Sequence, residues 1–407
     1  MSRSDSEDFD LLAPETRMDP YALYQRMRKQ APIYWSDQVQ SWVIVRYRDV
    51  FPLLRDPYLS TSRPWRERDD RNERGRPDLL ALRKAIARRV AFLDPPDPIR
   101  IRALADHVFT PSVIARVRPR LQMVVNTLVR HLSQNGQIDI IRDLTRPLPV
   151  MIITALLGAA PDDYANILSW TSDIAVIGED CDDQALLGRA QRSLTQLTSY
   201  YDALIADLAV QPDDPLLTFP AAISDVRLSE AEEMLATAAM FIFAGHITTQ
   251  NVIGNALATL LRHPEQFARL KEHPTLTIMA LEELMRYESP IQYLTRVAVI
   301  DTEVEDKVIQ SGQTVLLSIG SANRDPEQFR NADQLDIARA NNRHLTFGQD
   351  AHFSFSAALT RLEGQIVVET LVRRLINPRL ANEHLDWKPD LIVRGLNSLP
   401  IVFDDCL

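Results

Sequence analysis

The longest regular pattern in the sequence runs from Leu228 to His263 and is apolar on nearly every side. Ser229 and Glu232 mark its start, because a serine cap followed three residues later by glutamate is typical of a helix beginning. A helix without a polar face is buried along its middle, so the chain must surround it with a large core. Inside the helix, Ala244 and Gly245 lower helix stability. They allow either a bulky group to approach or a neighbouring helix to pack closely.

Most of the remaining chain also has helical periodicity. Short alternating patterns predict a hairpin over Ile33–Trp35 and Trp42–Val45, a small sheet over Val297–Leu317 and a last strand over Arg394–Phe403. The predicted helices are Asp19–Gln30, Val117–Asn135, Pro147–Leu157, Pro161–Gly178, Asp183–Ala209, Pro274–Tyr287 and Leu359–Leu375. The sequence contains no internal repeat or linker. We therefore predict a fold that is mainly α with a minor β part, in a single domain over residues 1–407.

The charge of the chain argues against nucleic acid as a partner. The sequence has 45 Lys and Arg against 55 Asp and Glu, a net charge of −10, which does not attract phosphate backbones. The two cysteines, Cys181 and Cys406, supply neither a disulfide framework nor a metal site. No apolar run is long enough to span a membrane. We expect a cytoplasmic protein that binds neither nucleic acid nor membrane.

Four segments, in this order, carry a resemblance to a known family. They read AGHITT at 244–249, ELMR at 283–286, ANRDP at 322–326 and HLTFGQDAHFSFSAALTRLE at 344–363. Together they resemble the soluble bacterial cytochrome P450 proteins, and the similarity runs from about Asp19 to Leu399. The resemblance implies a triangular, mainly helical cytochrome P450-type domain, in which the long helix lies beside the loop that holds haem.

The haem-ligand loop departs from the family pattern. In the family, the sequence FGxGxHxCxG supplies a cysteine thiolate to the iron. This chain has Ser354 at that position, and a serine hydroxyl is a weak, protonated ligand. Asp350 and Ser356 replace two glycines, and their side chains restrict the backbone and the approach of a flat ligand. The resemblance therefore implies a weak or vestigial haem site. We expect no bound haem, with haem binding as the alternative.

The residues that bind the haem propionates in the family are partly kept. Arg296 and His352 match two such positions, and Arg102 matches a third, while Pro98 stands where the family has histidine. Arginine suits a carboxylate because it donates two parallel hydrogen bonds. Haem, another acidic ligand and a purely structural role all stay open for these side chains.

Glu283 and Arg286 lie three residues apart on one helical face and match the structural ion pair of the family. The third member of that cluster in the family is an arginine, which is represented here by Gln334. We expect the pair to support the fold and to take no part in chemistry.

The long helix lacks a further family feature. Ile247 stands immediately before Thr248, where the family places an acid, and isoleucine cannot relay protons to oxygen. Thr248 and His246 are candidate catalytic residues in a cavity whose wall also includes residues 244–245, Ile247 and Asp350. The structural alternatives are a Thr248 hydroxyl bonded to its own helix backbone and a His246 packed in the core.

A retained fold with an altered pocket predicts a protein that has lost thiolate haem ligation and oxygen activation and works in specialised-metabolite biosynthesis. Two roles stay open. One is a redox-independent enzyme such as a cyclase, lyase or isomerase, and the other is an auxiliary that stabilises a partner enzyme. In the first role the protein binds a small-molecule biosynthetic intermediate, and in the second it binds a partner biosynthetic enzyme. The alternative is a haem-binding monooxygenase or oxidoreductase with serine, water or histidine on the iron. The sequence contains no HExxH, P-loop, GxSxG or GxGxxG motif that favours another chemistry.

Overall fold

The computed structural model describes residues 9–61, 110–132, 136–156, 159–175, 183–208, 231–350, 353–354 and 356–407. The chain divides into two compact units. The first comprises residues 1–64, 255–350 and 384–398, and the second comprises residues 65–254, 351–383 and 399–407. The single domain that the sequence predicts over residues 1–407 stays a prediction.

The helices follow the predicted pattern, with boundaries that differ by a few residues. In the described part of the chain the α-helices are α1 (Pro14–Met18), α2 (Tyr21–Gln30), α3 (Tyr47–Leu53), α4 (Pro111–Leu132), α5 (Pro147–Leu156), α6 (Tyr164–Ala175), α7 (Gln184–Leu208), α8 (Ala231–Arg262), α9 (Pro264–Glu272), α10 (Thr277–Tyr287), α11 (Ile319–Ala322) and α12 (Ala357–Arg374). The long apolar pattern forms the predicted helix, α8, whose residues 249–260 are buried. A π-helical turn over Ile141–Thr145 was not predicted.

The strands are short and gather in several small sheets. Their bounds are β1 (Ile33–Ser36), β2 (Ser41–Ile44), β3 (Leu59–Ser60), β4 (Gln137–Asp139), β5 (Tyr293–Ala298), β6 (Thr302–Val304), β7 (Lys307–Ile309), β8 (Thr314–Ser318), β9 (Leu375–Ile376), β10 (Arg379–Leu380), β11 (Asp386–Trp387), β12 (Leu396–Ser398), β13 (Pro400–Val402) and β14 (Asp405–Cys406). The predicted last strand is therefore two strands, β12 and β13, which pair with different partners, β11 and β4.

The largest sheet lies in the first unit and has the strand order β1-β2-β8-β5-β3. The predicted hairpin is present as the antiparallel pair β1 and β2, in which Trp35 faces Trp42. Because side chains alternate along a strand, neighbouring residues enter different cores. Ile44 belongs to a cluster with α3, whereas Val43 packs with α2. Because of this sheet, the fold is not all α.

The second unit is built from helix pairs. Trp170 of α6 and Tyr200 of α7 have ring centroids 6.1 Å apart, and Gln122 of α4 donates to the hydroxyl of Thr370 in α12 at 3.0 Å. A side chain could not replace hydrogen at Gly254 without moving its neighbour, because a Cβ there would lie 2.6 Å from Cδ1 of Ile141. This close approach places Gly254 of α8 against the π-helical turn. Among the described residues, no helix has the length and hydropathy needed to cross a membrane.

Candidate functional site

The loop before α12 carries Ser354, the residue at the haem-ligand position of the sequence pattern. Ser354 is half-buried, and its Oγ lies 3.2 Å from the Oγ of Ser356. Its backbone carbonyl accepts a hydrogen bond from the amide of Ala357 at 3.2 Å, at the start of α12. Ser356 has a φ of −82°, which serine adopts without strain. The expected backbone restriction at Ser356 was therefore wrong.

Asp350 lies in the same loop and has a φ of 47°, in the left-handed region that favours glycine. Its carboxylate accepts two hydrogen bonds from Arg55, one from Nη2 to Oδ1 at 2.8 Å and one from Nε to Oδ2. The Arg55 hydrogen bond lowers the pKa of Asp350. Asp350 is exposed and forms a surface ion pair with Arg55, and its assignment to a cavity wall stays a prediction.

The candidate residues of α8 differ in burial. His246 is 3% exposed, whereas Ile247 and Thr248 are half-buried. The next residue, Thr249, is 1% exposed, and its hydroxyl lies 2.8 Å from the hydroxyl of Thr360 in α12. The direct hydrogen bond between these helices thus involves Thr249, which the sequence analysis did not select. Residues 244–245 lie within α8 as expected.

A buried carboxyl, Glu363, lies one helical turn beyond Thr360 in α12 and was missed in the sequence analysis. Glu363 is 1% exposed, and its Oε2 has no hydrogen-bond partner among the described residues. Burial raises the pKa of Glu363 well above its usual value, because a charge without a partner is costly away from water. The carboxyl therefore keeps its proton to a higher pH than an exposed glutamate does. The available sequence signal was helical spacing, because the apolar residues Leu359, Ile366 and Val367 lie four positions before and three and four positions after Glu363.

One of the three predicted propionate partners lies in the described residues. Arg296 of β5 is 3% exposed, and its Nη1 donates to the carbonyl oxygen of Thr295 at 2.9 Å. Strand pairing opposite Val315 of β8 fixes its position. Arg102 and His352 lie outside the described residues, so their assignments stay predictions.

The ion pair of α10 is fully buried and larger than predicted. Glu283 accepts from Nε and Nη2 of Arg286 at 2.7 and 2.9 Å, from Nε of Arg339 at 2.9 Å and from Nδ2 of Asn342 at 3.0 Å. The third member of the cluster, an arginine, is therefore present as Arg339, and its assignment to the position of Gln334 was wrong. Gln334 contributes its backbone oxygen, which accepts from Nη2 of Arg339 at 3.1 Å.

The family model for cytochrome P450 matches residues 224–357 of the chain. Cytochrome P450 107B1 of Saccharopolyspora erythraea is 34% identical over 414 residues, which cover 96% of this chain and 97% of that protein. Cytochrome P450 monooxygenase PikC of Streptomyces venezuelae is also 34% identical, over 97% of this chain and 93% of that protein. The chain belongs to the cytochrome P450 family.

Solved structures share the fold of this cytochrome P450 chain. The crystal structure of CalO2 has a TM-score of 0.91 at 27% identity and covers 98% of this chain and 100% of that one. The structure of P450BioI with a ligated acyl carrier protein has a TM-score of 0.86 at 29% identity and covers 96% and 99%. The predicted family and the mainly α fold with a minor β part are confirmed.

The described residues do not fit the haem of a typical cytochrome P450. That cofactor needs a cysteine thiolate on the iron, and Ser354 offers a hydroxyl that is hydrogen-bonded to Ser356. A hydroxyl stays protonated near neutral pH and is a poor donor to iron. Arg296 retains a buried guanidinium of the kind that binds a propionate. Among the described residues, the ligand position therefore carries a hydroxyl in place of the thiolate, and the propionate-binding role of Arg296 stays a prediction.

Proposed function

We propose that this chain is a cytochrome P450-fold protein of bacterial specialised-metabolite biosynthesis that works without thiolate-ligated haem. The observation that carries the proposal is Ser354, which stands at the ligand position and forms a hydrogen bond with Ser356. The surrounding framework is retained, since the Glu283 cluster is complete and buried. Loss of the iron ligand in a fold that is otherwise maintained favours a changed activity. The cytoplasmic location expected from the sequence is part of this proposal.

The relatives support a role in biosynthesis. Two of them, from Bacillus subtilis, are a biotin biosynthesis cytochrome P450 and the polyketide biosynthesis cytochrome P450 PksS. P450BioI was solved in complex with an acyl carrier protein that carries hexadec-9Z-enoic acid. We propose the same chemical class for this chain, an acyl or polyketide intermediate, either free or attached to a carrier protein.

The reaction that we propose is redox-neutral, such as a cyclisation, an elimination or an isomerisation. These reactions need proton transfer and no electron donor. Side chains of α8 and α12 offer groups that can transfer protons: the hydrogen-bonded hydroxyls of Thr249 and Thr360, and the carboxyl of Glu363, whose pKa is raised by burial. Ile247 supports the loss of oxygen activation, because a hydrocarbon side chain cannot deliver protons to oxygen.

The test compares the intermediate that a gene-deletion strain accumulates with the product formed when purified protein is added. A redox-neutral enzyme converts that intermediate alone, without reductant, into a compound of equal mass or one that differs by water. A product heavier by one oxygen atom, formed only with an electron donor, contradicts the proposal and supports the haem alternative. Conversion that requires a second protein, whose activity this chain restores, supports the auxiliary role instead.

Two serine variants make the test specific to the ligand position. Ser354→Ala removes the hydroxyl that a haem alternative needs on iron, while Ser356→Ala breaks the same 3.2 Å hydrogen bond and leaves that hydroxyl in place. The proposal predicts that both variants keep similar activity. Loss of activity in Ser354→Ala alone, together with loss of bound haem, would show that Ser354 is an iron ligand.

A further inference from the structure

A cavity lies entirely within the first unit. Its volume is about 180 Å³, below the roughly 300–1,000 Å³ of pockets for drug-sized ligands. Its wall combines the rings of Tyr21, Tyr287 and Trp387 with the guanidinium groups of Arg324 and Arg394. The combination of aromatic surface and positive charge limits the ligands that such a space can hold.

Arg324 is held in this wall by aromatic rings. Its guanidinium carbon lies 3.6 Å from the ring centroid of Tyr21 and 3.6 Å from that of Tyr287. Its Nε donates to the carbonyl oxygen of Tyr287 at 2.8 Å. The residue is 6% exposed. The two rings and this hydrogen bond therefore fix the plane of a buried cation.

The outer nitrogens of Arg324 have no hydrogen-bond acceptor among the described residues. The carboxylate of Asp333 is 3.8 Å from Nη1, which is beyond hydrogen-bond distance. Asp333 is also half-exposed, so water screens its charge. A buried guanidinium normally has its donors satisfied, because an unpaired charge is costly away from water. The Nη groups of Arg324 are thus available to a ligand in the cavity.

The other buried charges in the wall balance one another. Nε of Arg394 donates to Glu288 at 2.5 Å, and the hydroxyl of Tyr21 donates to the same carboxylate at 2.8 Å. Burial raises the pKa of Glu288, but the charges of Arg394 and Arg324 outweigh it and lower that pKa below its usual value. Glu288 is therefore ionised and paired with Arg394. The remaining charged wall residues, Asp19 and Arg262, are exposed and opposite in sign.

We propose that this cavity binds a small carboxylate whose two oxygens accept hydrogen bonds from the Nη groups of Arg324. A carboxylate matches the planar fork of arginine and supplies the missing negative charge. The ring of Trp387 and the methyl group of Ala258 give the wall an apolar part that suits a flat or short hydrocarbon body. The site is independent of the reaction proposed above, because none of the α8 candidates from His246 to Thr249 lines it.

The test measures binding of benzoate to the full-length protein by isothermal titration calorimetry, with neutral benzamide as the isosteric control. We expect benzoate to bind at millimolar or lower concentration and benzamide not to bind. Arg324→Lys should bind benzoate about tenfold more weakly, because lysine loses the paired hydrogen bonds. The matched control is Arg48→Lys, an exposed arginine that binds Glu305 at 2.7 Å outside the cavity.

A second variant protects the test if Arg324→Lys fails to fold. Ala258 of α8 lines the cavity and is 2% exposed, so Ala258→Leu places a larger side chain in the cavity. This variant should not bind benzoate, and its far-ultraviolet circular dichroism should match that of the wild type. Equal binding of benzoate and benzamide, no binding of benzoate at all, or unchanged affinity in both cavity variants would each overturn the proposal. Failure of these tests leaves the Ser354 account untouched, because that account is measured by product mass and haem content.

Discussion

Replacing Glu363 by glutamine tests whether the buried carboxyl of α12 carries a proton in the folded protein. The side chain is 1% exposed, and its Oε2 has no partner among the described residues. Burial therefore raises the pKa of Glu363 in the folded state, whereas the unfolded chain keeps a value near the usual 4.5. Between those two pKa values the folded protein holds one proton that the unfolded chain releases.

The sign of the effect follows from that proton. The free energy of unfolding is highest below the pKa of the unfolded chain and falls as the pH rises towards the pKa of the folded protein. In that range the unfolded chain releases a proton that the folded protein keeps, and this release favours unfolding. One proton corresponds to a slope of about 1.4 kcal/mol per pH unit in the free energy of unfolding. Glutamine cannot ionise, so Glu363→Gln should lose this contribution. At low pH its unpartnered amide costs roughly 1–3 kcal/mol, and that deficit should shrink or reverse as the pH rises.

The assay is urea unfolding of the wild type and Glu363→Gln from about pH 5 to about pH 8, with the difference in unfolding free energy plotted against pH. Glu369→Gln is the control, because Glu369 lies on the same helix and is half-buried. It should keep the pH dependence of the wild type. Parallel curves for the wild type and Glu363→Gln would show that the pKa of Glu363 is not raised in the folded protein. That result would remove Glu363 as a proton donor in the proposed reaction.

Three further substitutions test the framework and the ligand position. Glu283→Gln should lower the free energy of unfolding by about 3–5 kcal/mol, because it leaves the fully buried Arg286 without its carboxylate; urea titration measures this. Gly254→Leu should lower the thermal midpoint, since even a Cβ there would meet Cδ1 of Ile141 at 2.6 Å, and calorimetry would contradict us by showing no change. Ser354→Cys with added haem and a ferredoxin system should show no efficient hydroxylation of apolar substrates. The thiolate would be restored but proton delivery would not, and proton delivery typically contributes about 10²–10⁴-fold to the rate. Hydroxylation coupled to electron supply would show that only the cysteine had been lost.

The sequence predicted the local elements well, because periodicity acts within one segment. The apolar run from Leu228 to His263 could only be a buried helix, and α8 ends at Arg262. The alternation around Trp35 and Trp42 predicted the hairpin, whose cross-strand pairing is present. The split of the last strand could not be predicted, because it depends on pairing: β12 pairs with the nearby β11, whereas β13 pairs with β10 and with β4, which is far away in the chain.

The site was less predictable, because its contacts join residues far apart in the chain. Asp350 was expected in a cavity wall, but the residue that decides its orientation is Arg55, 295 positions away. The Glu283 cluster takes its second arginine from position 339, which no fixed spacing from α10 indicates. Ser354 could be recognised from sequence, because the surrounding loop preserves enough of the family pattern to identify its position.

The most direct test of the central claim is the haem content of the protein, expressed with a haem precursor in excess and purified without added haem. The pyridine haemochrome assay gives haem per chain, and the spectrum of the reduced protein with carbon monoxide reports the iron ligand. Because Ser354 replaces the thiolate, we predict far less than one haem per chain and no band of a thiolate-ligated carbonyl complex. One tightly held haem per chain, retained through purification, would contradict the account.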